Sequence, residues 1–206
     1  MKVLLVNGSP HKDGCTNEAL LEIKKTLEEN GIDSEIFWIG IKPLAGCCGC
    51  GQCFQSKRCI YNDIVNEFLD KCENVDGFIF GCPVHYASVN GAMISFMDRA
   101  FYGKPNLFKG KPAACIVSCR RAGGTSTFDV LNKYFAYSCM PIVTSNYWNG
   151  VFGSNKEEVR QDEEGMQTMR ILANNMSWML KCIDAGKNNG IEFPKTEKKV
   201  FTNFIR

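Results

Sequence analysis

The chain has 206 residues, 45% hydrophobic, 22% charged and 11% aromatic, a mixture that buries a core and excludes a disordered or collagen-like chain. Its 24 Lys and Arg against 22 Asp and Glu give +2 with no run of one sign, so no basic face advertises a nucleic-acid partner. No apolar stretch approaches the roughly 20 residues that cross a bilayer, and the apolar run after Met1 is too short for a signal peptide, so one soluble, intracellular, cytoplasmic domain is expected.

Lys2–Val6 reads as a strand buried on both faces, and Thr16–Asn30 as a helix with Ala19, Leu20, Ile23 and Leu27 on one stripe, stopped by Gly31. Ser34–Ile39 is the second expected strand, followed by an irregular, cysteine-rich segment over 40–61. Asp63–Glu73 has a helical stripe of Ile64, Phe68, Leu69 and Cys72. Gly77–Cys82 is the third expected strand, ended by Pro83, which cannot donate to a sheet ladder. Gly91–Phe101 carries Met93, Ile94, Met97 and Phe101 at helical spacing. Ala113–Ser118 is the fourth strand, 126–138 a helix, Pro141–Ser145 the fifth strand and Glu163–Ile183 a long closing helix.

Strands alternating with helices make βαβ units: a five-stranded parallel sheet with helices on both faces, a three-layer α/β sandwich. The domain is expected over 1–184, with the cysteine-rich insertion at 40–61 and a tail, 185–206, packing on the domain or on a neighbouring subunit. Ligands of open α/β sheets sit beyond the carboxyl ends of the strands. The irregular stretches there, 7–15, 40–61, 83–90, 119–125 and 146–162, are therefore the functional loops.

The first of them, Asn7 to Asn17, has the parts a phosphate needs: Gly8 and Gly14 for close backbone approach, hydroxyls at Ser9 and Thr16, the Asn17 amide and a helix amino terminus. It is not a Walker loop, because five residues separate Gly8 from Gly14 and Cys15 stands where the lysine belongs. A dinucleotide Gly-x-Gly-x-x-Gly fingerprint is missing too, and a polar turn capped by Thr16 is the purely structural alternative.

Val6-Asn7-Gly8-Ser9-Pro10 with Gly14-x-Thr16 resembles the opening of the NADPH-dependent FMN reductases of the flavodoxin-like superfamily. The resemblance implies a flavodoxin-like fold in which this loop wraps the FMN phosphate, through Ser9, Thr16 and Asn17 with Lys12 as a weaker charge partner. A second stretch, Gly81 to Gly91 and on to Phe96-Met97-Asp98-Arg99, is similar to the loop that cradles the flavin ring in this family. It offers Pro83, Val84, His85, Tyr86, Ser88 and Val89; a flat apolar ring needs such an aromatic wall and fixed donors. The third, Ser118 to Gly124, implies flavin contacts at Arg120, Gly123 and Gly124, with Arg120 and Arg121 either adding charge near the ring or forming a solvated basic turn. Asp98-Arg99 is expected to be a structural ion pair or part of a subunit interface. Stretches 162–170 and 202–206 also resemble a subgroup of the family.

Cysteine is the compositional oddity: twelve residues, four of them in the compact run Cys47-x2-Cys50-x2-Cys53-x5-Cys59. Four thiolates at this spacing can converge on one iron–sulfur centre; free or reversibly oxidised thiols and zinc are the other readings. The run resembles the motif that holds a [4Fe–4S] cluster beside FMN in the iron–sulfur flavoproteins. Cys72, Cys82, Cys115, Cys119, Cys139 and Cys182 fall on or beside regular elements and are expected in the core.

The expected function is an FMN-dependent oxidoreductase taking electrons from NAD(P)H and passing them to a small-molecule or protein acceptor, with the redox chemistry at the flavin rather than at a catalytic side chain. The alternative is an iron–sulfur flavoprotein electron carrier fed by ferredoxin without NAD(P)H. No nucleic-acid or membrane partner is expected, and a homodimer or tetramer is.

Overall fold

The structure is a computed structural model describing residues 1–195, 197, 198 and 200–204. The last two residues of the 202–206 stretch, like positions 196 and 199 of the tail, lie outside the described residues.

Strands β1 (Lys2–Asn7), β2 (Asp33–Trp38), β3 (Gly77–His85), β4 (Ser88–Val89), β5 (Ala113–Cys119) and β6 (Gly150–Phe152) form a sheet of order β2-β1-β3-β5-β6, with β4 attached to β3. Every main pairing is parallel, and only the β3–β4 hairpin is antiparallel. This order is that of the flavodoxin-like doubly wound sheets, so the expected fold class is the observed one.

The helices are α1 (Cys15–Glu29), α2 (Gln52–Ser56), α3 (Ile64–Lys71), α4 (Gly91–Gly103), α5 (Gly124–Tyr137), α6 (Lys156–Gln161) and α7 (Glu163–Asn188). The two-residue period of β1 sorts its side chains: Leu4 and Val6 face a core shared with α3, α4 and α5, Val3 and Leu5 one shared with α1 and α7. Phe68, fully buried, anchors the first core; its ring lies 4.9–6.3 Å from those of Phe37, Phe78, Phe80, Phe96 and Phe108.

Three differences from the sequence reading bear on the site. Pro83 does not end β3; the strand runs on to His85 and turns back through Tyr86 and Ala87, both at positive φ (49° and 57°). Pro83 lies beyond the last β1 pair, Asn7↔Gly81, on an open edge where its missing N–H breaks no ladder bond. The fifth strand is not 141–145: only Ile142 bridges to Ala113, and the chain then leaves the sheet and returns as β6 beside Val117–Cys119. Buried Asn149 holds that detour, donating its amide to the Cys115 carbonyl at 3.0 Å while its own carbonyl accepts the Val117 N–H at 2.9 Å. The closing helix runs to Asn188, past the expected boundary at 184, and the tail's Phe193 ring meets Lys109 and Gly110. Among the described residues no helix is long and apolar enough to cross a membrane.

Candidate functional site

The carboxyl ends of β1, β3 and β5 carry three loops that are tied to one another. The β1 loop is fixed first: the Gly8 N–H donates to the Gly81 carbonyl at 2.8 Å, and the Asn90 side-chain amide donates to the Gly8 carbonyl at 2.8 Å. A Cβ on Gly8 would stand 2.7 Å from the Met93 sulfur and 3.0 Å from the Gly81 oxygen, so any side chain there would have to displace Met93 and crowd the Gly81 carbonyl. Buried Asn7 reads the rest of the loop, accepting the Ser9 N–H at 3.0 Å and donating to the Lys12 carbonyl at 3.1 Å. Trp38, at the end of β2, donates its indole N–H to the Ser9 carbonyl at 2.8 Å. No side chain caps the start of α1 at Gly14, so its first-turn N–H groups are available to an anion.

Of the residues expected at the phosphate, Ser9 is buried with its hydroxyl accepting the His11 N–H at 3.1 Å, and Asn17 is half-buried beside Asn7. Lys12 is exposed, its ammonium 5.8 Å from the Trp38 ring centroid. Thr16 turns inward: its hydroxyl shares a 2.8 Å hydrogen bond with that of Ser118 on β5, and both are buried.

The β3–β4 hairpin and the β5 loop close on each other. Gly123 has φ +88°, and a Cβ there would lie 2.6 Å from the Ala87 Cα and 2.8 Å from a Val84 methyl. The Ser126 hydroxyl donates to the Ala87 carbonyl and fastens the same junction. Pro83, Val84 and Ser88 are half-buried, His85 and Arg120 exposed, Tyr86 fully exposed; Val89 packs into the core under α4 and offers the loop no side chain. Gly124 opens α5, whose start also has no side-chain cap. A cleft of about 300 Å³ lies on the far side of the β5 loop, between Arg121, Gly124, Tyr147, Trp148 and Phe152. Its aromatic wall comes from Tyr147 and Trp148 in the detour before β6 and from Phe152 on β6, all within the 146–162 stretch counted among the functional loops from the sequence but given no residue role there.

Residues 39–63 form the cysteine-rich segment along α4. Cys47, Cys48 and Cys50 are exposed, Cys53 and Cys59 half-buried, and all twelve cysteines are free. Burial pushes the Cys53 thiol up, with charge on Cys47, Cys50 and Cys59 as smaller contributions in the same direction. Among the described residues, no three His, Cys, Asp or Glu side chains converge as a metal site. Four cysteines fit a cluster in number and kind by their chemistry and spacing, but the described residues do not bring three of them together as ligands. Hydrogen bonds from Tyr61 and Cys50 lower the exposed Cys48 thiol below its ordinary value.

The remaining cysteines divide. Cys72, Cys82 and Cys115 are core residues as expected, and burial drives all three thiols up, Cys82 to about 12. Cys139 and Cys182 are exposed and Cys119 half-buried: Cys139 lies just past α5, Cys119 ends β5, and Cys182 is on an outward position of α7. Arg99 pairs with Asp63, 36 residues away in sequence, and not with its neighbour Asp98, which accepts from the Tyr134 hydroxyl at 2.5 Å.

The family model described as NADPH-dependent FMN reductase matches residues 1–154. An iron-sulfur flavoprotein of Methanocaldococcus jannaschii is 28% identical over 191 residues, covering 89% of this chain and 99% of its own. One of Clostridioides difficile is 31% identical over 136 residues, covering 65% of this chain and 60% of its own. Among solved structures, a flavodoxin from the domain Archaea superposes with a TM-score of 0.60 at 15% identity, over 88% of this chain and 99% of its own, a likeness of fold alone.

Proposed function

This chain belongs to the NADPH-dependent FMN reductase family, and from that premise we propose that it is an FMN-dependent oxidoreductase taking electrons from NAD(P)H and passing them to a small-molecule or protein acceptor. The observation that carries the reading is the junction of the three loops: a tight contact at Gly8, an uncapped α1, and the hairpin clamped onto Gly123. When bound, FMN supplies the hydride and electron chemistry. The protein's part is to hold it: Ser9, Asn17 and the first-turn N–H groups of α1 receive the phosphate, with Lys12 adding charge from the surface. Thr16 acts at one remove, pinning the start of α1 to Ser118 on β5. Pro83, Val84, His85, Tyr86 and Ser88, with Arg120, Gly123 and Gly124 packed against the same hairpin, form the surface that would carry the ring. Val89 serves as the core plug beneath the hairpin.

The family's second theme supports a companion reading. Four cysteines at the spacing Cys47-x2-Cys50-x2-Cys53-x5-Cys59 lie in one loop, and the relatives above carry the name iron-sulfur flavoprotein. We therefore propose Cys47, Cys50, Cys53 and Cys59 as ligands of a [4Fe–4S] cluster, gathered as the metal binds, since such sites seldom exist preformed. If the cluster is the entry point for electrons, the protein is a carrier served by ferredoxin instead of NAD(P)H. Residues 1–184 act as one flavin-binding domain; we place it in the cytoplasm, where twelve free cysteines belong, as a homodimer or dimer of dimers whose partner covers the exposed Tyr86.

Anaerobic addition of NADPH, NADH or reduced ferredoxin to the purified protein separates the readings. Bleaching of the flavin by a nicotinamide nucleotide supports the reductase; bleaching by ferredoxin alone overturns it in favour of the carrier.

A further inference from the structure

Among the described residues Arg99 is the largest fully buried side chain, 2% exposed, and it sits in the middle of α4. A guanidinium has five N–H donors in a fixed plane, and here all five are used. Nη1 donates to Asp63 Oδ2 at 2.8 Å and to the Ala45 carbonyl at 3.3 Å. Nη2 donates to Asp63 Oδ1 at 2.8 Å and to the Tyr61 carbonyl at 3.4 Å. Nε donates to the sulfur of Cys59 at 3.2 Å. The Tyr61 ring closes the top, its centroid 4.8 Å from the guanidinium carbon.

Every acceptor belongs to the cysteine-rich segment and none to the sheet or its helices. Arg99 thus holds the segment at both ends, Ala45 before the four cysteines and Tyr61 and Asp63 after them, while Asn66 on α3 holds the Cys59 backbone, accepting its N–H at 2.9 Å and donating to its carbonyl at 3.0 Å. Asp63 also caps α3 by accepting the Val65 N–H at 3.1 Å, which fixes the carboxylate itself. Burying a guanidinium is costly unless every proton finds a partner. Tying a loop down needs the carboxylate and the carbonyls; the bond to Cys59 is the one that the tie does not require.

We infer that Arg99 is the positioning residue of the cysteine loop, orienting the Cys59 sulfur as the fixed ligand around which Cys47, Cys50 and Cys53 close on a thiophilic metal. The inference deepens the cluster reading above and rests on it for the identity of the metal. Partners that orient metal ligands are worth about 10–100-fold in metal affinity. A hydrogen bond to a ligating sulfur also tunes the potential of an iron–sulfur centre.

The test compares the parent chain with Arg99→Lys and Arg99→Met. Arg99→Lys keeps the charge and loses the planar fork, so it remains measurable should Arg99→Met not fold. Each full-length protein is loaded anaerobically with iron and sulfide and, separately, titrated with Co2+, whose thiolate charge-transfer band counts bound sulfurs. The expected result is Co2+ binding about 10–100-fold weaker in both variants, fewer iron and sulfide atoms per chain, a shifted potential in what cluster remains, and unchanged FMN content. Equal Co2+ affinity and cluster potential in parent and variants would overturn the role of Arg99. A parent that takes Co2+ on its thiolates but no iron–sulfide would sink the cluster reading and leave Arg99 to be judged on Co2+. A parent that binds neither would sink both.

Discussion

Substituting Gly123 by alanine tests whether the hairpin and the β5 loop meet as one surface. At φ +88° a non-glycine residue costs about 1–2 kcal/mol. The new Cβ would also stand 2.6 Å from the Ala87 Cα, a backbone atom that cannot rotate away, and overpacking of this kind costs about 1–3 kcal/mol. The sum, about 2–5 kcal/mol, is within the usual stability of a domain, so the chain should fold with Tm lowered by about 4–20 °C. Gly31→Ala is the control: φ is +75° but nothing lies within 4 Å, so only the backbone cost remains, about 2–8 °C. To relieve the contact the β5 loop must lift off the hairpin. A misfit of about 1.4 kcal/mol in the flavin walls is already tenfold in Kd. Thermal unfolding of the apoprotein and quenching of FMN fluorescence on titration read the two effects. If Gly123→Ala melts like Gly31→Ala and holds FMN like the parent, the two loops do not form the ring site.

Ser9→Ala removes a buried hydroxyl that both braces His11 and is proposed to donate to the phosphate. FMN should bind about tenfold to a hundredfold more weakly, the worth of one charge-assisted bond; an unchanged Kd would put the phosphate elsewhere. Thr16→Ala leaves the Ser118 hydroxyl buried without its partner, costing about 1–3 kcal/mol, and adding Ser118→Ala should cost little more. Strictly additive losses in denaturant melts would show that the pair contributes nothing. Glu35 is held below the ordinary glutamate value, first by the Lys71 hydrogen bond and then by Lys2. Its stabilisation is therefore present above the unfolded value of about 4.3 and lost as pH falls through the lower folded value. The carboxylate is a third exposed, so screening keeps the effect to about 0.2–1 kcal/mol. Glu35→Gln should flatten the acid limb of Tm against pH, and parallel curves for parent and variant would refute the linkage.

The sheet was legible in its central strands because they are buried on both faces and carry unbroken apolar runs such as Val3–Val6. The edge strand was not. The apolar run at 141–145 pairs only at Ile142, and the decisive contact, Asn149 to Cys115, joins residues 34 apart in sequence. Pro83 misled for a related reason: whether a proline ends a strand depends on whether its neighbour is still paired there, and β1 has already stopped. Helix α6 had a readable signal that went unused, the Asn155-x-x-Glu158 capping box, in which Asn155 accepts the Glu158 N–H at 2.9 Å. At the site, the glycines and hydroxyls of the β1 loop were readable as types, but not which way Thr16 points, since its partner Ser118 is 102 residues on. Asp63 and Cys59 as partners of Arg99 could not be read at all, because a buried guanidinium selects its acceptors by tertiary proximity rather than by spacing.

The loops following β1, β3 and β5 are proposed to hold one FMN by its terminal monophosphate. Heating the purified protein, then separating and quantifying the released cofactor by chromatography, tests it most directly. Close to one FMN per chain is the predicted result, falling in parallel with affinity in Ser9→Ala and Gly123→Ala. Recovery of FAD, or of FMN in amounts and affinities indifferent to both substitutions, would contradict it.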